Sequence, residues 1–168
     1  MNPLIARTSS KPLTVFTLLL TFSLLGPVSA VAEVVAVHVT SREVVAADPQ
    51  HGQAGAYEVL KGTIDLEVDP DNPANESIVD LHLAPRNQSG RVEFSTDFEL
   101  HKPVDATRGN RRLLYFVNNR GNKHGGVFNF ETEKNWLYGR GFSYLWCGWN
   151  SDVIASERKL NIRVPVAT

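Results

Sequence analysis

Serine-type hydrolysis on an open sheet needs a nucleophile at a crowded strand-to-helix turn, which only flanking glycines tolerate, giving the string Gly-x-Ser-x-Gly. The nearest string here, Gly141-Phe142-Ser143-Tyr144-Leu145, lacks the second glycine and places Ser143 inside an apolar run instead of after one. Ser143 therefore reads as a strand residue, and no catalytic residue is assigned. Cys147 is the only cysteine, so no disulfide can form within the chain. Its setting, Tyr144-Leu145-Trp146-Cys147, supplies no adjacent base, and a small buried hydrophobe is the expected role. The histidines, His38, His51, His82, His101 and His124, include no pair at the i, i+4 spacing of a zinc helix, so neither a metal nor a cofactor is expected. Asp65, Asp80, Asp97 and Glu99 lie on strand-like stretches, where a solvated face accounts for them. Trp136, Trp146 and Trp149 could build a sugar-binding platform, but two adjoin an apolar run, and core packing is the better account.

One feature keeps a functional reading. The apolar run Leu113 to Val117 stops abruptly at Asn118-Asn119-Arg120-Gly121. Open α/β sheets bind ligands beyond the carboxyl ends of their strands, and backbone N–H groups in such a loop can form an oxyanion hole. Asn118, Asn119, Arg120 and Gly121 are thus a candidate oxyanion loop, with a plain polar turn as the competing reading.

The elements that must carry these residues change character along the chain. In Lys61 to Val68 and in Arg91 to His101, apolar and polar residues alternate, the mark of half-buried antiparallel strands with one face in water. Val34 to Thr40 is a third candidate strand, with Val35, Val37 and Val39 on one face, and Ile78 to Leu83 is a fourth with poorer alternation. Clusters of Pro, Asp, Asn and Gly at 48–55, 69–73 and 85–90 punctuate them. Asn75-Glu76-Ser77 and Asn87-Gln88-Ser89 match the glycosylation acceptor pattern. After Pro103 the runs 113–117 and 142–147 lose alternation, which suits strands of a parallel sheet buried on both faces. A helix over about 131–138, stopped by Gly139, could make the crossover that parallel neighbours need. Leu160, Ile162, Val164 and Val166 alternate again.

The first thirty residues read as a secretory signal. Arg7 and Lys11 precede an uncharged, mostly apolar stretch from Leu13 to Leu25, Gly26-Pro27 breaks it, and small residues allow cleavage after Ala30 or Ala32. The stretch is short for a spanning helix, so no stable membrane anchor is expected, and the product is secreted or periplasmic. Removing residues 1–30 takes two of the 17 bases and none of the 18 acids, leaving 138 residues of formal charge −3. That balance gives no reason to expect a nucleic-acid partner. Arg108, Arg111, Arg112, Arg120 and Lys123 read as a solvated loop.

Several stretches together resemble the N-terminal part of a family of large, often exported proteins with an α/β-hydrolase domain. They include Thr40-Ser41-Arg42-Glu43, Gly55 to Gly62, Ile78 to Leu81, Leu83 to Asn87, Phe94 to Phe98, Arg108-Gly109-Asn110, Val117 to Gly121, Gly139 to Phe142 and Trp146 to Trp149. The resemblance implies a sheet of α/β-hydrolase type starting here, with strands at 113–117 and 142–147 joined by a crossover helix. It places the nucleophile, acid and histidine beyond Thr168. The resulting expectation is an α/β fold in part, with a signal at 1–30, an antiparallel β-rich portion at 31–105 and the start of a hydrolase-like sheet at 106–168. Its function would be that of a fragment of an ester or acyl hydrolase, inactive alone, with a small ester as substrate of the longer parent. The alternative is a stand-alone exported β-rich module that uses its aromatic residues for ligand contact.

Overall fold

A computed structural model describes residues 32–123, 136–154, 156 and 159–168. The signal segment at 1–30 lies outside these residues. So do His124 and most of the expected helix at 131–138.

The alternating stretches pair as their period demands. β1 (Ala32–Val45), β2 (Tyr57–Val68) and β3 (Val92–Pro103) form an antiparallel meander, with β2 in the middle. β5 (Ser143–Cys147) joins the far side of β3 antiparallel, and β4 (Leu113–Tyr115) lies outside β5 and parallel to it. A two-residue strand, β6 (Ile162–Arg163), pairs with the other end of β3. One sheet thus spans the boundary expected at 105/106.

The expected α/β architecture is overturned. The sheet is mixed and mainly antiparallel, and helix among the described residues is limited to one turn at 136–139 and short 3-10 turns. No helix among them is long and apolar enough to cross a membrane. The physical reason lies in what the apolar runs hide. On β5 the burial alternates, with Tyr144 and Trp146 buried and Ser143, Leu145 and Cys147 only partly covered. On β4 and just after it, Leu114 and Phe116 pack on the core while Leu113, Tyr115 and Val117 are exposed. A single aromatic core on one face therefore replaces two layers of helices. Ile78 to Leu83 forms turns instead of a strand, with Asp80 in the left-handed region at φ 57° and a 3-10 turn at Leu81–Leu83.

That core gathers Ala54, Tyr57, Leu137, Tyr138, Tyr144, Trp146 and Leu160. The Tyr57 ring stacks on Tyr138 at 3.7 Å between centroids, and its hydroxyl faces the carbonyls of Phe142 (3.0 Å) and Tyr138 (3.3 Å). A smaller cluster of Val68, Leu81 and Val92 closes the opposite end of the sheet. The expectation that β1 is half buried also fails: Val34, Val35, Val37, Val39 and Val44 are all exposed. β1 is an edge strand, bulged between Val34 and Ala36 and again between Val39 and Ser41.

Gly62 governs how β1 can lie. A Cβ built there would stand 1.8 Å from the His38 carbonyl oxygen, so only glycine lets the bulged edge cross β2. Gly62→Ala is expected to cost about 3 kcal/mol by forcing that backbone apart. Gly90→Ala, at φ +78° but with open space around it, should cost only about 1 kcal/mol. Urea unfolding of both variants measures the contrast, and equal losses would contradict it.

Candidate functional site

The register of the sheet builds the site before any side chain is considered. Across β2, β3 and β5, Lys61 lies opposite Glu99 and Glu99 opposite Trp146; one row along, Val59 lies opposite His101 and His101 opposite Tyr144. Glu99 and His101 share a face of β3 by the two-residue period. Glu99, expected to face solvent, is 6 % exposed, and His101 is 4 % exposed. Along β3 the polar face is covered by the aromatic core only at Glu99 and His101; Glu93 is exposed and Ser95 and Asp97 are partly covered.

A hydrogen-bonded chain runs through this core. Glu99 Oε1 is 2.9 Å from His101 Nε2, and His101 Nδ1 is 2.8 Å from the Tyr138 hydroxyl. The His101 ring stacks on Tyr144 at 4.5 Å and meets Trp146 edge-on at 5.5 Å. The second carboxylate oxygen of Glu99 accepts a hydrogen bond from the Lys123 ammonium, and Lys61 Nζ stands 3.6 Å away. Burial pushes the Glu99 carboxyl up. The hydrogen bonds from His101 and Lys123 and their positive charges outweigh it, and bring it down from an ordinary 4.5 to about 2. Lys123, grouped by sequence with a solvated arginine loop, is instead the counter-ion of a buried carboxylate.

Carboxylate, imidazole and hydroxyl in series resemble a nucleophile with its base. Here the hydroxyl end is sealed, because Tyr138 is fully buried with Tyr57 stacked on it and His51 edge-on at 4.9 Å. Burial also pushes the Tyr144 hydroxyl and the Cys147 thiol up, so both keep their protons at neutral pH. Ser143 lies on β5 opposite Leu113, and among the described residues no base is hydrogen-bonded to its hydroxyl. No group of three His, Cys, Asp or Glu among the described residues could hold a metal.

The loop after β4 directs its polar groups inward. Asn118 is buried; its amide donates to the Cys147 carbonyl at 2.6 Å, and its Oδ1 accepts from the Gly121 N–H at 2.8 Å. Its carbonyl accepts from the Trp149 indole at 2.7 Å. Asn119 exchanges backbone hydrogen bonds with Asn122. Arg120 (φ 46°) and Gly121 (φ 83°) take the left-handed conformation that closes the turn. The N–H groups of Asn119 and Gly121 are therefore used within the turn, while Arg120 points its side chain to solvent.

The tryptophans divide. Trp146 is in the core, whereas Trp136 and Trp149 are about half exposed, Trp136 stacked on Phe142 with the Arg140 guanidinium 5.2 Å from its ring. Neither acceptor asparagine is presented freely: Asn75 is buried and donates to the Asp69 carbonyl, and the Asn87 amide is held by Glu93 and Glu67. Comparison with family models, curated proteins and solved structures finds no match to this chain.

Glu99 makes acid stability testable. Its folded pKa lies below its unfolded one, so its contribution is complete above about pH 4.5 and is lost as pH falls through about 2. Thermal melts between pH 5 and pH 2 should show a smaller acid loss in Glu99→Gln than in the parent, at a cost of about 3 kcal/mol near neutrality. Asn118→Ala, which removes two side-chain hydrogen bonds, should cost about 3 kcal/mol by urea unfolding.

Proposed function

We propose that this chain is the exported N-terminal portion of a hydrolase-type protein, and that it serves as a sheet module which hydrolyses no ester by itself. The observation that carries this reading is the enclosure of the Tyr138–His101–Glu99 chain. Nucleophilic catalysis requires a hydroxyl that substrate can reach and a base free to take its proton. Tyr138 has no exposed surface, and its hydroxyl ends in the His101 contact beneath the Tyr57 ring.

Two further features support the reading. The ordered stretches from Thr40 to Trp149 resemble the front of such proteins, whose catalytic groups would be supplied by the longer parent along with its small ester substrate. At β4 and just after it, the sheet face away from the aromatic core also leaves Leu113, Tyr115 and Val117 exposed, apolar surface that a longer parent would cover. Export rests on the positive, apolar and small-residue order of residues 1–32.

The purified chain should release p-nitrophenol from p-nitrophenyl acetate no faster than buffer containing an equal concentration of unfolded chain. Saturable turnover that disappears in His101→Ala would overturn the proposal.

A further inference from the structure

Beside Glu99, where its lysine end reaches the surface, lies a cavity of about 190 Å³. Lys61, Lys123 and Lys159 line it, together with Thr63, Ser156 and Glu99. Three segments remote in sequence deliver these lysines. Lys61 comes from β2 by its register opposite Glu99. Lys123 and Lys159 are brought together by main-chain pairing, since Asn122 bridges Lys159 and the Leu160 N–H donates to the Gly121 carbonyl at 3.0 Å. Gly121 permits this approach: a Cβ there would stand 2.8 Å from the Leu160 carbonyl oxygen.

Among the described residues, the charges around the cavity do not balance. Asp97, also on its wall, is matched by Arg163 and by the Asn161 N–H at 2.9 Å. Glu99 carries one negative charge, and Lys123 meets it with a direct hydrogen bond. Lys61 is left with a contact of 3.6 Å to that same carboxylate, and no carboxylate among the described residues forms an ion pair with Lys159. Like charges held together by backbone bridges repel, and a bound anion removes that cost. The Thr63 and Ser156 hydroxyls donate to no described residue, and so remain available as hydrogen-bond donors.

We propose that this cavity binds a small oxyanion, a carboxylate or a phosphate, between Lys61 and Lys159. Its volume is below the roughly 300 Å³ at which sites for larger organic ligands begin, which restricts the occupant to an ion or a fragment. The site stands on its own geometry and is independent of the hydrolase reading.

Isothermal titration of the purified chain with inorganic phosphate, and separately with acetate, at pH 7 and constant ionic strength tests the proposal. Saturable binding is expected for at least one of them, and which one binds identifies the class. Lys61→Gln and Lys159→Gln should each weaken it about 10-fold, while Arg86→Gln, whose ion pair with Asp71 lies outside the cavity, should leave it unchanged. Lys159→Gln breaks no ion pair, and an unchanged thermal melt confirms that it folds. Absence of saturable binding to either anion overturns the proposal. So does a Lys61→Gln/Lys159→Gln double variant that binds as the parent does.

Discussion

An ionised carboxylate held inside an aromatic core constrains everything around it. Moving such a charge out of water costs several kcal/mol unless hydrogen bonds and an opposite charge replace the lost solvation. At Glu99 the replacements come from three places: His101 two residues along β3, Lys61 across the ladder on β2, and Lys123 from the loop after β4. Tyr138 completes the chain from the helical turn at 136–139. A one-residue slip between β2 and β3 would place Lys61 and Glu99 on opposite faces of the sheet. The Lys61–Glu99 contact thus favours the observed register, while His101 and Lys123 hydrogen-bond the two oxygens.

The edges of the sheet follow a different logic. β1 presents valines on an open strand, a liability for edge-to-edge association. Two bulges interrupt its ladder, and charged side chains sit along it: Arg42 reaches Glu58 at 2.5 Å and Glu33 lies 3.9 Å from Arg91. Irregularity and charge both oppose the flat, uninterrupted pairing that a second edge would need. At the other edge β4 is only three residues long, and its parallel pairing with β5 is backed by Asn118, which ties the outgoing loop to the end of β5. The asparagine-rich loop therefore works first as a fastening. It returns the chain toward β3, and that return brings Lys123 to Glu99.

One carboxylate consequently serves two environments. Its inner oxygen belongs to the sealed histidine–tyrosine chain, and its outer oxygen anchors the lysine-lined cavity. The buried half explains why the chain has no exposed nucleophile at its most catalytic-looking constellation. The open half explains where surplus positive charge collects.

Local pattern alone determined the antiparallel meander. The alternations at 61–68 and 91–101 were legible because a two-residue period needs no knowledge of partners, and the turn clusters between them follow from the backbone preferences of Pro, Gly, Asn and Asp. The same local logic misread the runs at 113–117 and 142–147, since an apolar residue looks the same whether a helix or an aromatic cluster covers it; at Tyr144 and Trp146 only the tertiary fold reveals which side is buried. It also misjudged Glu99, His101 and Lys123, which look like solvated polar residues one at a time. Their roles depend on positions 24 and 37 residues apart in sequence being joined by strand register and loop return, and on burial strengthening each charge interaction. Composition and period decided that strands would form and which residues could face each other. The assembled sheet decided which polar face would be buried, and therefore where an ionised carboxylate and its lysines had to meet.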